Sequence, residues 1–296
     1  MHVDVNGTRL WFDVDGASLV ADGDAMRGRP TLILVHGGPG SYDHSYFKPE
    51  FARMAERAQV VYLDLRDHGR SARGDPSQWT FEQCADDVRE FCDALGIAAP
   101  IVLGHSLGGF VALLYGARHP GHAAGLVLQS TCAHFDVTRV VETFRRVGGD
   151  EVAGIVARVY GGERSSVSAE EWARCWRLFG PWVIGERERA RILTNPALNP
   201  HGLALMRAFD VRDQLGRIES PALVCVGALD PVTPVESARE IAAGLAPGGA
   251  RLAIIEGAGH FPWKDQPARY WPVLDDFLER VQRTSGAGSR VASARP

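Results

Sequence analysis

Three residue types that can together turn a weak nucleophile into a reactive one occur in this 296-residue chain in the order Ser106, Asp230, His260. A serine hydroxyl attacks a carbonyl only when a base removes its proton, and that base needs an acceptor to fix its tautomer. Ser106 stands in Gly104-His105-Ser106-Leu107-Gly108, a G-x-S-x-G spacing. Glycines on both sides leave room for a sharp strand-to-helix turn where a Cβ would clash. In a chain with 33 glycines the string alone is weak, and the plain alternative is a glycine-rich turn with a capping serine. Context favours chemistry: an apolar run precedes it, and an Ala-rich helical stretch follows.

His260 lies in Glu256-Gly257-Ala258-Gly259-His260, just after the apolar run Arg251–Ile255. Glycine-rich loops after buried strands present side chains at the carboxyl edge of a sheet, where ligands bind in open α/β folds. Asp230 follows another such run, in Gly227-Ala228-Leu229-Asp230-Pro231; it can also be a turn-forming Asp before proline, and the two roles are compatible. A tetrahedral intermediate would need backbone donors, and the N–H groups of Leu107 and Gly38 are the candidates. Gly37, His105 and the tryptophans Trp172, Trp176 and Trp182 are candidates for the substrate wall, although at least two of the tryptophans are expected simply to pack.

These residues need a scaffold, and its pattern is readable. Val3 to Val14 alternates around Asn6-Gly7, which predicts a hairpin, and Arg27 to Pro30 reads as a polar break. Short apolar runs at 31–35, 59–63, 100–103, 125–129, 221–227 and 251–255 match strands buried on both faces. Thr80 to Leu95 has helical spacing, with Thr80 as N-cap and Gly96 at C′. Strand–helix alternation predicts an α/β fold with a mainly parallel sheet flanked by helices. Residues 132–208 lack strand runs and predict a helical cap inserted between the fourth and fifth buried strands. Residues 1–131 and 209–283 then form the two parts of the core, and 284–296 a flexible tail.

Five motifs in order carry a resemblance: H-G-G-P-G at 36–40, D-L-R-D-H-G-R-S at 64–71, G-H-S-L-G-G at 104–109, G-A-L-D-P-V-T-P at 227–234 and G-A-G-H-F-P-W at 257–263. Over roughly residues 10–282 the chain resembles the proline iminopeptidase group of the α/β-hydrolase superfamily. The resemblance implies a serine hydrolase acting on a small amide or ester, with aminopeptidase activity on short peptides and cap acids that hold the substrate amine. Glu142, Glu151, Glu163, Glu170, Glu171, Glu186 and Glu188 are the acids available there. The sequence departs from the group at Leu107, where tryptophan is usual, and at Asp67, where glycine is usual. A carboxylesterase or lactonase of small metabolites is the alternative within the class, and a slow or non-catalytic ligand sensor the alternative outside it.

Composition limits the rest. A net charge of −4 offers no case for nucleic acid or an anionic membrane as partner. Five scattered cysteines suit free thiols in a reducing compartment, and with no leader pattern and no long apolar stretch a cytoplasmic protein is expected. No metal-ligand spacing or phosphate-loop string occurs, so no metal or cofactor is expected.

Overall fold

The structure, a computed structural model, describes residues 1–180, 186–246, 249–285 and 290–291. Asn6 and Gly7, at φ 43° and 73°, turn β1 (His2–Val5) back on β2 (Thr8–Asp15). A second hairpin, β3 (Leu19–Asp22) and β4 (Ala25–Gly28), takes up part of the expected polar break. Its residues are exposed or half-buried, so it carries neither the apolar run nor the clean alternation by which a strand is recognised.

The apolar runs form β5 (Thr31–Val35), β6 (Gln59–Asp64), β7 (Ile101–His105), β8 (Gly125–Gln129), β9 (Ala222–Gly227) and β10 (Ala250–Ile255). With the first hairpin they make one eight-stranded sheet in the order β1-β2-β6-β5-β7-β8-β9-β10. The six strands from β5 to β10 are parallel, while β1 and β2 run antiparallel at one edge. The predicted mainly parallel sheet flanked by helices is therefore the fold observed.

Two helices flank β7 in sequence. α1 (Phe81–Ala94) begins at Thr80, whose hydroxyl accepts from the Gln83 N–H at 3.0 Å, and is followed by Gly96 at φ 67°. α2 (Leu107–Arg118) leaves β7 and is buried from Leu107 to Ala117. After β8 the chain is helical through α3 (Val137–Gly161, broken at Gly149), α4 (Ala169–Trp176), α5 (Glu186–Arg189) and α6 (Asn199–Ala208). α7 (Val235–Gly244) follows β9, and α8 (Pro262–Asp265) and α9 (Pro267–Ser285) follow β10. Thr284 and Ser285 thus belong to the last helix, and Arg290–Val291 pair with β4 as β11; the rest of segment 284–296 lies outside the described residues.

The five cysteines are free and buried. No helix among the described residues is long and apolar enough to cross a membrane.

β5 and β7 are neighbours, yet the chain visits β6 between them, so the loops leaving their carboxyl ends diverge and open a crevice. Leu34, in the middle of β5 and fully buried, anchors this region. Leu34→Ala should cost about 2–5 kcal/mol in denaturant unfolding; a loss near zero would contradict its place in the central core.

Candidate active site

Ser106 joins β7 to α2 with φ 55° and ψ −122°, a backbone that non-glycine residues rarely adopt. Close packing over-determines it. A Cβ on Gly104 would collide with the Gly108 carbonyl, one on Gly108 with the Val35 carbonyl, and one on Gly109 with the Thr131 side chain. The Ser106 N–H donates to the Gln129 carbonyl at 3.0 Å, and its own carbonyl accepts from the Thr131 hydroxyl at 2.9 Å. The G-x-S-x-G glycines are thus steric requirements of a helix packed against the ends of β5 and β7.

Asp230 and His260 come together through backbone contact between their loops. A Cβ on Gly227 would strike the carbonyls of Ala258 and Gly259, and the Leu229 N–H donates to Ala258 at 2.8 Å. Gly259 in turn lies against the Phe179–Gly180 backbone, and the His260 N–H donates to the Phe179 carbonyl. The result is a hydrogen bond from His260 Nδ1 to Asp230 Oδ2 at 2.8 Å, with both side chains buried. Asp230 also accepts from the N–H groups of Val232 and Thr233 at 2.9 and 3.0 Å and from the Thr233 hydroxyl at 2.8 Å. With its lone pairs filled in this way the carboxylate is aimed at the imidazole and leaves His260 Nε2 for the cavity. The Phe179 ring meets the imidazole edge-on at 5.7 Å.

The loop after β5 faces this pair. A Cβ on Gly37 would sit 3.2 Å from that of Ser106, which places the two backbones side by side. The Gly37 N–H is engaged, donating to the Tyr46 hydroxyl at 2.8 Å. Tyr46 is 2.8 Å from His105 Nδ1, and His105 Nε2 is 2.9 Å from the His260 carbonyl. A carbonyl can only accept, so Nε2 carries the proton, Nδ1 accepts, and the Tyr46 hydroxyl donates to it. One relay therefore ties the Gly37 loop, the residue before Ser106 and the backbone of His260. The N–H groups of Gly38 and Leu107 have no acceptor among the described residues, which leaves them available to a ligand.

His105 and Gly37 belong to the cavity wall, but their polar groups serve this relay rather than a substrate. His36 and His68 complete the loop's support. His36 accepts from the Leu65 N–H at 3.1 Å, and His68 Nε2 accepts from the Gly40 N–H at 2.9 Å. Burial lowers the pKa of all three histidines, that of His68 to about 3. Sequence reasoning did not find Tyr46, because nothing local marks a buried tyrosine as a link between loops.

An inner chamber of about 90 Å³ is lined by Ser106, His260 and Gly38 together with Tyr160, Trp172, Trp176 and Arg164. It adjoins an outer chamber of about 370 Å³ walled by Tyr42, Trp172, Trp176, Arg164 and Arg189. Trp172 and Trp176 both line and pack: their rings meet at 6.2 Å, and Trp176 stacks on Phe179 at 4.3 Å. Trp182 lies outside the described residues. Leu107, one of the two departures from the resembled pattern, buries its side chain in the core and does not line the inner chamber. Asp67 holds φ 64°, the conformation for which glycine is usual, and its carboxylate accepts from the Gly74 N–H at 2.6 Å.

A sequence model described as the alpha/beta hydrolase fold matches residues 30–149. Proline iminopeptidase PfmaB of Pestalotiopsis fici is 27% identical over 276 residues, covering 87% of this chain and 92% of that protein. A putative carbamate hydrolase, RutD of Caulobacter vibrioides, is 27% identical over 281 residues, covering 90% and 96%. Among solved structures, a thermophilic esterase from Thermogutta terrifontis superposes with a TM-score of 0.66 at 26% identity, covering 95% of this chain and 99% of the esterase. The chain is a hydrolase of the α/β-hydrolase fold, with iminopeptidases, carbamate hydrolases and esterases as distant relatives.

Two outcomes follow from the relay. Tyr46→Phe leaves the Gly37 N–H and His105 Nδ1 without partners and should cost about 1–3 kcal/mol of stability; an unchanged denaturation midpoint would show that the relay is not structural. Because burial depresses the three histidine pKa values, the unfolded chain binds more protons than the folded one below about pH 6.5. Stability should therefore fall as pH drops from 6.5 to 5, above the ordinary carboxylate range, with a slope of up to about 1.4 kcal/mol per pH unit for each histidine. Denaturant midpoints across that range test it, and a flat profile would contradict neutral buried imidazoles.

Proposed function

We propose that the chain is a serine hydrolase in which Ser106 is the nucleophile, His260 the general base and Asp230 its orienting carboxylate. The observation that carries this reading is the 2.8 Å hydrogen bond from Asp230 that orients His260, which lines one chamber together with a strained, glycine-cradled Ser106. Ser106 Oγ attacks the substrate carbonyl while its proton passes to His260 Nε2. The Gly38 and Leu107 N–H groups take the developing oxyanion, and their lack of other described acceptors supports that role. Collapse expels the leaving group, which receives the proton from His260. Water then attacks the acyl-enzyme with His260 again as base, releasing the acid and restoring Ser106.

Residues 132–208 act in this reading as a cap, which contributes Tyr160, Arg164, Trp172 and Trp176 to the chamber wall. The substrate is a small ester, lactone or amide. An iminopeptidase needs an acid to hold the free amine, and no Asp or Glu among the described residues lines the inner or outer chamber. That favours the ester or lactone side, in company with the esterase relative, over the peptidase relative.

Ser106→Ala should lower kcat on a p-nitrophenyl ester by roughly six orders of magnitude, the scale seen when a triad nucleophile is removed. Turnover near the unmodified rate would overturn the assignment and favour a ligand sensor that merely kept the fold.

A further inference from the structure

Arg164 stands where three chambers meet. It lines the inner chamber beside Ser106, the outer chamber, and a third of about 450 Å³. Arg189 joins it in the outer chamber and Arg207 in the third. Among the described residues no aspartate or glutamate lines any of the three. Four acids of the helical segment pair away from the cleft: Glu142 with Arg145, Glu151 with Arg174, Glu171 with Arg158, and Glu188 with Lys264. The cleft therefore carries cations with no described carboxylate facing them, although the chain as a whole is acidic.

The Arg164 guanidinium is held but not neutralised. It lies 5.6 Å from the Trp172 ring centroid and donates one hydrogen bond, to the Val167 carbonyl at 3.0 Å. No described carboxylate pairs with it. A planar fork of N–H donors in a partly buried, apolar-walled cleft matches a carboxylate, and the concave setting strengthens the attraction. We propose that the substrate hydrolysed at Ser106 is a small ester or lactone bearing a carboxylate, which Arg164 binds while the scissile carbonyl sits at Gly38 and Leu107. Both ends lie on one chamber of about 90 Å³, so the anion and the reacting carbonyl belong to one short molecule. This specificity rests on the serine-hydrolase reading above and adds to it the residue that selects charge.

The test uses the full chain with two chromogenic substrates of matched length, the mono-p-nitrophenyl ester of glutaric acid and p-nitrophenyl pentanoate. The unmodified protein should show the higher kcat/KM on the glutarate ester, and added salt should erode that advantage. Arg164→Gln should lower kcat/KM about 10- to 100-fold more on the glutarate ester than on the pentanoate. Arg164→Lys should restore part of the loss. Equal losses on both esters would mean that Arg164 only braces its turn through Val167, and no preference for the anionic ester in the unmodified protein would likewise overturn the proposal. Ser106→Ala separates the two readings: if it keeps hydrolysing the pentanoate, the nucleophile assignment fails whatever Arg164 does.

Discussion

The backbone at Ser106 is the constraint on which the rest of the structure depends. Holding a serine at φ 55° costs about 1–3 kcal/mol, so it persists only where neighbours leave no alternative. Those neighbours are the ends of β5, β7 and β8. α2 lies so close to β5 that Gly108 touches the Val35 carbonyl, and Gly109 meets Thr131 just beyond β8. Because β5 and β7 are hydrogen-bonded in register, from Leu32 opposite Ile101 to Val35 opposite Gly104, the Gly37 loop emerges beside the serine. Hydroxyl and backbone donors are therefore placed by the same sheet, not by separate loops that must find each other.

Electrostatics completes what packing begins. A buried carboxylate is costly unless its lone pairs are filled, and Asp230 fills them with two N–H groups, a hydroxyl and an imidazole. Farther out, His36, His68 and His105 behave as neutral hydrogen-bonding spacers, because burial disfavours their charged forms. Asp43, His44 and Asp64 lie together where the turn that carries Tyr46 meets the end of β6. There the His44 imidazole bonds Asp64 at 2.8 Å, while Asp43 takes the Ser45 and Leu193 N–H groups at 2.8 and 2.9 Å. These three polar groups thus serve to fix loops.

The sheet and the three candidate residues were legible for a common reason. Buried parallel strands read as apolar runs, and a turn that must exclude Cβ atoms reads as glycine, so Ser106, Asp230 and His260 stand out by what precedes and surrounds them. The exposed β3–β4 hairpin was not legible, since a two-sided polar strand has no pattern of its own. Tyr46 and Arg164 were hidden for another reason. Their importance comes from what the fold sets opposite them, and neither lies in a motif. Asp67 shows the intermediate case: the motif marks a special backbone position, but only its φ of 64° and its bond to Gly74 explain how an aspartate fills it. α4 starts in a capping box of Ser168 and Glu171, a local signal that fixes where the helix begins but not which wall it forms.

In the proposed mechanism the Ser106 hydroxyl is activated by His260. Intact-protein mass spectrometry after brief exposure to a fluorophosphonate tests this most directly. Rapid, stoichiometric addition of one phosphonyl group is expected, located at Ser106 by peptide mapping and slowed strongly in His260→Ala. Absence of labelling, or labelling that is equally fast without His260, would contradict it.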